Sequence, residues 1–262
     1  MTETTPQVVV TRLEDGAVLD LQLARPKANI LDAAMMAALS AALTAAEMDA
    51  NLKLVILRGS GGHFSFGASV EEHTRDRAAG MLAGFHALIR QIGHYPVPVA
   101  ALIEGQCLGG AFEVVLVCHF LFATPNAALA CPEIKLGVLP PVLAAVGAQR
   151  LGGIVAERLL LTGGALKAQE GEKLGLLTLL TGEGTPLEQL LAWYRGNLQP
   201  LSAFALRQGV KAIRKGSGLT AALGAGLDEA ERQYLSEIVN SHDGNEGIEA
   251  FLARRPPAWS HA

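Results

Sequence analysis

Short apolar runs alternate with longer segments of helical periodicity through most of the chain. Residues 8–13 and 17–23 are predicted strands, and the Asp15-Gly16 pair between them is a hairpin-turn signal. Residues 52–58 and 98–103 are nearly continuous apolar runs, typical of parallel strands that are buried on both faces. Because helical segments separate these runs, the pattern predicts βαβ units and an α/β fold.

Helix signals complete this alternation and then dominate the C-terminal part. Asp32 is a residue type favoured at helix N-caps and precedes an Ala-rich segment that extends to about residue 50. After residue 185 the strand patterns disappear. We therefore predict an α/β core with the active site over 1–190 and a helical region over 191–262. The other predicted helices span about 72–94, 152–163, 186–198, 202–215, 219–240 and 245–254.

Composition and charge exclude several classes of function. The 262 residues carry a formal net charge of −4, which argues against nucleic-acid binding. The histidines are scattered without metal-ligand spacing, so no metal site is predicted, and His73 alone lies where it could reach a pocket. No signal peptide and no uncharged run of about 18 residues is present, so we expect no membrane span. The three cysteines lack C-x-x-C pairing and predict reduced core residues in a cytoplasmic protein.

The segment IEGQCLGGAFEVVLVCH (103–119) contains the most informative carboxylate. Gly109 and Gly110 follow an apolar strand and precede a helix, whose first N–H groups have no internal partner and favour negative charge. Glu113 lies one turn later among apolar residues, where burying an unpaired carboxylate is costly. The glycine pair alone could simply allow tight packing. Glu113, however, indicates proton-transfer chemistry.

Two further segments also place a possible catalytic or binding group directly after an apolar strand. In AALACPEIKLG (127–137), Glu133 follows a short apolar strand, and two carboxylates in one apolar pocket can provide an acid and a base near neutral pH. Taken alone, Glu133 could instead cap a turn or pair with Lys135. In HFSFGASVEEH (63–73), Gly67 and Ala68 follow a strand where a backbone N–H can face a ligand. The preceding glycine-rich turn lacks a P-loop ending and could equally be a flexible loop.

The order of these motifs resembles the enoyl-CoA hydratase/isomerase (crotonase) family. HFSFGA, IEGQCLGGAFE and CPEIKLGVLP occur at the family's separations, and LARPKANILDAAM (23–35) and EGIEAFLARRPP (246–257) resemble its early motif and its C-terminal helix. The resemblance covers about residues 8–259. It implies a spiral of ββα units, a helical C-terminal oligomerisation region and an acyl-CoA substrate, with no separate cofactor because CoA is part of that substrate.

The resemblance also assigns roles to individual residues. Ala68 and Gly110 would supply the two N–H groups that bind the thioester oxygen, and Glu113 and Glu133 would be the acid/base pair. The residues expected to contact CoA are Lys27, Ala28, Phe66, Phe251 and Arg254. Phe251 and Arg254 would approach CoA from the C-terminal end of this or another subunit. Members of the family commonly assemble as trimers or hexamers. This resemblance and the apolar segment GLTAALGAGL (218–227) predict a homotrimer or hexamer assembled through the C-terminal helices.

The chain departs from the family pattern at two places. Ser69 stands where many members have Asp, and Pro140-Pro141-Val142-Leu143 replaces a Gly-rich turn, placing apolar bulk beside Glu133. These segments resemble those of hydratases that act on cyclohexa-1,5-diene-1-carbonyl-CoA in anaerobic, benzoyl-CoA-dependent aromatic degradation, so we expect that substrate.

Three other functions are alternatives to this one. The nearest is a generic enoyl-CoA hydratase of fatty-acid β-oxidation. A serine peptidase on a related spiral fold is disfavoured because no Ser occurs between Gly105 and Cys118. A non-catalytic CoA- or RNA-binding scaffold is disfavoured because both glutamates are present and the charge is acidic.

Overall fold

The computed structural model describes residues 6–26 and 28–262. A six-stranded sheet has the order β1-β2-β3-β4-β6-β9, and a smaller sheet has the order β5-β7-β8. In the large sheet β1 and β2 form the expected antiparallel hairpin, and each later strand pairs in parallel with its neighbour. The strands are β1 (Val8–Leu13), β2 (Val18–Leu23), β3 (Leu54–Arg58), β4 (Val99–Ile103), β5 (Gln106–Leu108), β6 (Phe120–Ala123), β7 (Ala128–Ala130), β8 (Ala165–Lys167) and β9 (Thr178–Leu179).

Helices cover both faces of the large sheet. They are α1 (Ala33–Ala46), α2 (Ala78–Gly93), α3 (Gly110–Leu116), α4 (Pro141–Leu151), α5 (Gly153–Thr162), α6 (Ala168–Lys173), α7 (Pro186–Asn197), α8 (Ala203–Gly216), α9 (Leu219–Ala221), α10 (Leu227–Gln233) and α11 (His242–Leu252). As the sequence predicted, Asp32 caps α1 by accepting the N–H of Met35 at 2.9 Å. The predicted α/β architecture is therefore confirmed.

Side chains alternate between the two faces of the sheet along β3 and β4, and burial of both faces explains why residues 54–57 and 99–103 are all apolar. Val55 and Val99 belong to the large core shared with α1 to α4, whereas Ile56 and Ala100 face the opposite side. On that side they pack against α7, where Tyr194 is fully buried. Position 190, our predicted boundary, lies within α7, and the division into two regions stays a prediction.

The structure corrects two details of the prediction and qualifies a third. The helix expected over 72–94 begins at Ala78, after a separate 3-10 turn at Val70–His73. Residues 140–143, expected to be a turn, are the start of α4, with Pro141 in its first turn. In segment 218–227, whose apolar character motivated the predicted assembly, Leu219, Leu223 and Leu227 pack into the core of their own chain, whereas Thr220, Ala221 and Ala225 are exposed.

Parallel pairing brings the site segments together. β3 and β4 end at the same edge of the sheet, and the chain after each runs alongside the other. Ser65 forms an isolated bridge with Cys107, and Ser65 accepts the N–H of Leu108 at 3.0 Å. The loop after β3 therefore lies directly beside the glycine turn that precedes Glu113.

Candidate active site

Glu113 is held by the N-terminus of another helix. The residue lies in the first turns of α3 and is only 3% exposed. Its Oε1 accepts the N–H groups of Val142 at 2.7 Å and Leu143 at 2.9 Å. These belong to the first turn of α4, where N–H groups lack partners within the helix and favour an anionic acceptor. The segment expected to place apolar bulk beside Glu133 also binds Glu113 through its backbone, while Pro140 and Pro141 line the same cavity as Glu133.

Glu133 approaches the same space from the 3-10 turn Pro132–Leu136. Gly109 has a φ of +54°, and a Cβ built on it would lie 2.8 Å from Oε1 of Glu133. Glycine therefore provides both the backbone conformation and the room for this carboxylate. No salt bridge joins Glu133 to Lys135 among the described residues, so the ion-pair alternative is not supported.

Burial shifts both carboxyl groups toward their neutral forms. The pKa of Glu133 is raised by burial and further by the nearby charge of Glu113. The pKa of Glu113 is also raised by burial, but the two N–H groups of Val142 and Leu143 oppose this shift. A site that favours one proton shared between two carboxyls can present one acid and one base. Of the two, Glu133 is the better placed to keep the proton.

Ala68 and Gly110 lie next to each other, as expected for two cooperating donors. A Cβ built on Gly110 would lie 3.5 Å from the Cβ of Ala68 and 3.1 Å from Phe85. Gly110 is the first residue of α3, so its N–H has no acceptor within the helix. Gly67 allows the close approach, because it has a φ of +96° and a Cβ there would lie 2.5 Å from the carbonyl oxygen of Leu108.

Asn29, a residue not predicted to belong to the site, anchors the loop that carries Ala68. Its side chain is fully buried, and its Nδ2 donates to the carbonyl oxygens of Ser60, His63 and Phe64 at 2.9–3.2 Å. Its φ of +47° is in the left-handed region that Asn tolerates better than most residues. An Asn at the end of the RPKAN segment is the sequence signal that could have indicated this role.

The residues expected to contact CoA divide into two groups. Ala28 accepts the N–H of Phe66 at 2.8 Å, which places both beside the Ala68 loop. Phe66 is 40% exposed and available to a ligand. Phe251 and Arg254 are exposed at the end of α11, and no hydrogen bond or ion pair links their side chains to that loop within the described chain. Lys27 lies outside the described residues.

A small cavity joins these elements. It measures about 20 Å³, room for roughly one water molecule. No sequence motif pointed to five of the lining residues, which are Met81, Leu82, Phe85, Leu139 and Tyr234. The lining residues are Ala68, His73, Met81, Leu82, Phe85, Gly110, Glu113, Glu133, Leu139, Pro140, Pro141 and Tyr234. His73 does line this cavity, but its Nδ1 is engaged by the carbonyl oxygen of Ser69 at 2.8 Å, and burial lowers its pKa.

The structure also describes the cysteines, the potential metal ligands and the length and polarity of the helices. Cys107, Cys118 and Cys131 are buried and free, as expected of core residues, and burial raises the pKa of each thiol. Among the described residues, no cluster of three His, Cys, Asp or Glu side chains could hold a metal ion. Within the same part of the chain, none of the helices combines the length and the apolar character needed to cross a bilayer.

Comparisons with known proteins identify the family of this chain. Residues 14–262 match the family described as Enoyl-CoA hydratase/isomerase. A cyclohexa-1,5-dienecarbonyl-CoA hydratase from Thauera aromatica is 41% identical over 261 residues, which cover 100% of both chains. A 2,3-dehydroadipyl-CoA hydratase from Escherichia coli is 32% identical and covers 96% of this chain and 97% of its own.

Solved structures share the fold. An enoyl-CoA hydratase/isomerase from Xanthobacter autotrophicus has a TM-score of 0.81 at 27% identity, covering 96% of this chain and 98% of its own. An enoyl-CoA hydratase from Bacillus halodurans, at 21% identity, has a TM-score of 0.83 over 93% of this chain and 99% of its own. The fold is therefore the crotonase fold, with two sheets and C-terminal helices. The chain belongs to the enoyl-CoA hydratase/isomerase family and is a hydro-lyase of the enoyl-CoA hydratase type, acting on acyl-CoA.

Proposed function

We propose that this protein adds water to cyclohexa-1,5-diene-1-carbonyl-CoA in anaerobic aromatic degradation, using Glu113 and Glu133 as base and acid. The observation that carries the proposal is the pair of buried carboxyl groups lining one small cavity with Ala68 and Gly110. The choice of substrate is supported by the 41% identity, over full length, to a hydratase named for that reaction.

The N–H groups of Ala68 and Gly110 bind the thioester oxygen. Addition of water to a conjugated thioester moves negative charge onto that oxygen, and two fixed donors each contribute about 3 kcal/mol to stabilising it. Gly110 begins α3, so the positive end of the helix dipole adds to this effect. In the cyclic diene the oxygen of water adds to the β-carbon of the thioester and the proton goes to the far end of the diene, so the charge still passes through the same thioester oxygen.

The two glutamates divide the proton transfers. Glu113, whose charged form is favoured by the N–H groups of Val142 and Leu143, takes a proton from the attacking water as the new C–O bond forms. Glu133, whose neutral form is favoured by burial and by the charge of Glu113, donates a proton to carbon. The net change is the addition of one water molecule, and each proton transfer contributes on the order of a hundred- to ten-thousand-fold in rate.

The wall of the cavity favours a compact acyl group. Pro140 and Pro141 restrict the backbone at the start of α4, and they form an apolar surface around the carboxyl groups together with Phe85, Leu82 and Leu139. An apolar wall discriminates by shape at about 1–3 kcal/mol per misplaced methylene. A rigid ring fits such a wall with less loss of conformational freedom than an extended chain does.

A panel of acyl-CoA esters tests the substrate. The purified protein should convert cyclohexa-1,5-diene-1-carbonyl-CoA to a hydroxycyclohexene-carbonyl-CoA with a kcat/KM at least tenfold above that for crotonyl-CoA. The panel includes 2,3-dehydroadipyl-CoA, the substrate named for the Escherichia coli relative. A preference for either straight-chain ester would reject the ring and leave the general hydratase activity in place.

We further propose that the protein is a homotrimer or hexamer and that Phe251 and Arg254 contact CoA bound mainly near Ala28 and Phe66. Exposed apolar side chains on other helices support the assembly, since Ile154 is 84% exposed and Phe204 is 72% exposed. Light scattering at micromolar concentration should give the mass of three or six chains. A monomeric mass would reject the assembly.

A further inference from the structure

Tyr234 places an unused hydroxyl group in the candidate active site. The residue begins the π-helical turn Tyr234–Ile238 that follows α10, and its side chain is only 1% exposed. Its ring lines the cavity together with Glu113 and Glu133. Its hydroxyl is buried and has no hydrogen-bond partner among the described residues. A buried phenol without a partner is costly, so it indicates a polar ligand.

The other two tyrosines, Tyr95 and Tyr194, differ from Tyr234 in their surroundings. Tyr95 is equally buried, but its hydroxyl donates to the carbonyl oxygen of Leu43 at 2.9 Å. Tyr194 is also buried without a hydroxyl partner, but it packs against the opposite face of the large sheet. Tyr234 alone of the three lines the carboxylate cavity.

The cavity contains a second group of the same kind. Oε2 of Glu133 is buried without a hydrogen-bond partner among the described residues. The cavity lined by Tyr234, Glu113 and Glu133 measures about 20 Å³, which suits one hydroxyl-sized group. Burial and the two nearby carboxyl groups raise the pKa of Tyr234, so its hydroxyl keeps its proton and can donate.

Tyr234 is held in place from a neighbouring helix. Glu231, one turn earlier, contacts Nδ1 of the buried His86 at 2.5 Å. His86 adjoins Phe85, which lines the cavity and lies close to Gly110. This contact joins α10 to α2 and thereby helps to fix the position of Tyr234 relative to the cavity.

We propose that the hydroxyl of Tyr234 donates a hydrogen bond to the oxygen atom that hydration adds to the acyl group. This oxygen belongs to the attacking water in one direction and to the product hydroxyl in the other. In dehydration the departing oxygen gains negative charge, so a donor stabilises the transition state that both directions share. Tyr234 thereby becomes a third catalytic side chain, beside Glu113 and Glu133, and it also recognises a hydroxylated acyl group. The inference rests on the proposed hydratase function and extends it.

Paired ligands with and without the hydroxyl test this contact. The ligands are hydroxycyclohexene-carbonyl-CoA and cyclohexene-carbonyl-CoA, bound to the wild type, to Tyr234→Phe and to the matched control Tyr194→Phe. Tyr234→Phe should weaken binding of the hydroxylated ester about tenfold and leave the other ester within about twofold. Its kcat should fall roughly tenfold or more in both directions. Tyr194→Phe should change neither quantity.

The outcomes separate this inference from the choice of substrate. Tyr234→Phe removes a hydroxyl without a protein partner, so its Tm should equal or exceed that of the wild type. If the wild type hydrates crotonyl-CoA but not the ring, 3-hydroxybutanoyl-CoA and butanoyl-CoA replace the two ligands, and only the ring assignment fails. Equal loss for both ligands of a pair, or no loss for either, overturns the role of Tyr234. A wild type that hydrates no ester overturns both proposals.

Discussion

Oε1 of Glu113 accepts the backbone N–H of Val142 at 2.7 Å, so a carboxylate on α3 is bound by the first turn of α4. The contact fixes the orientation of the carboxylate and favours its charged form inside an apolar core. Glu113 therefore links two parts of the chain that are far apart in sequence. Two different substitutions of Glu113 should distinguish its effect on turnover from its effect on stability.

Glu113→Gln should lower kcat by a hundred- to ten-thousand-fold with little change in Tm. The amide oxygen of Gln can still accept the N–H groups of Val142 and Leu143, but it cannot take a proton from water. Glu113→Leu, the matched variant, leaves both N–H groups without an acceptor and should also lower the free energy of unfolding by about 2 kcal/mol or more. Steady-state kinetics and thermal unfolding measure both effects. Near-normal turnover by Glu113→Gln would refute the paired-carboxylate mechanism.

Glu133→Gln should remove most activity yet raise stability at alkaline pH. Because burial raises the pKa of Glu133, the folded state binds its proton more tightly than the unfolded state does. That contribution to stability is complete below the unfolded pKa and is lost as the pH rises through the folded pKa. The Tm of the variant should therefore exceed that of the wild type by more at pH 9 than at pH 5. A constant difference in Tm would show that Glu133 does not titrate with a raised pKa.

Asn29→Ala should destabilise the protein by about 3 kcal/mol and raise the KM for acyl-CoA. The substitution removes the amide that binds the carbonyl oxygens of Ser60, His63 and Phe64, and it places Ala at a φ of +47°. Asn29→Gly, which accepts that φ, isolates the loss of the amide and should destabilise the protein less than Ala does. Denaturant unfolding measures both. Equal stability of the wild type and both variants would contradict the anchoring role.

Arg254→Ala should raise the KM for an acyl-CoA ester about tenfold, the usual effect of losing one charge-assisted hydrogen bond. The KM for the matching acyl-pantetheine ester, which lacks the nucleotide phosphates, should not change. The neighbouring Arg255 is paired with Glu246 at 2.5 Å, so Arg255→Ala is the matched control and should leave both values unchanged. An equal rise for both esters in Arg254→Ala would remove Arg254 from the CoA site.

Local patterns in the sequence were sufficient for much of the fold and the chemistry. The alternation of apolar strands and amphipathic helices predicted the parallel sheet, because burial on both faces requires continuous apolar runs. The glycine pair before Glu113 predicted a helix start at the right position, and Gly110 does begin α3. The motif order predicted the family, which the comparisons confirm.

Contacts between segments far apart in sequence decided the remaining features. The PPVL segment gives no local sign that its N–H groups bind Glu113, because Pro at a helix start is equally compatible with a turn. The segment 218–227 is apolar, and only the packed chain shows that its leucines fill their own core and do not face a partner. Tyr234 carries no motif at all. The sequence by itself determined which main elements form and which carboxylates are candidates for the chemistry, since both depend on local pattern. The tertiary structure alone decided which distant backbone and side-chain groups surround those carboxylates, since that depends on how the helices pack.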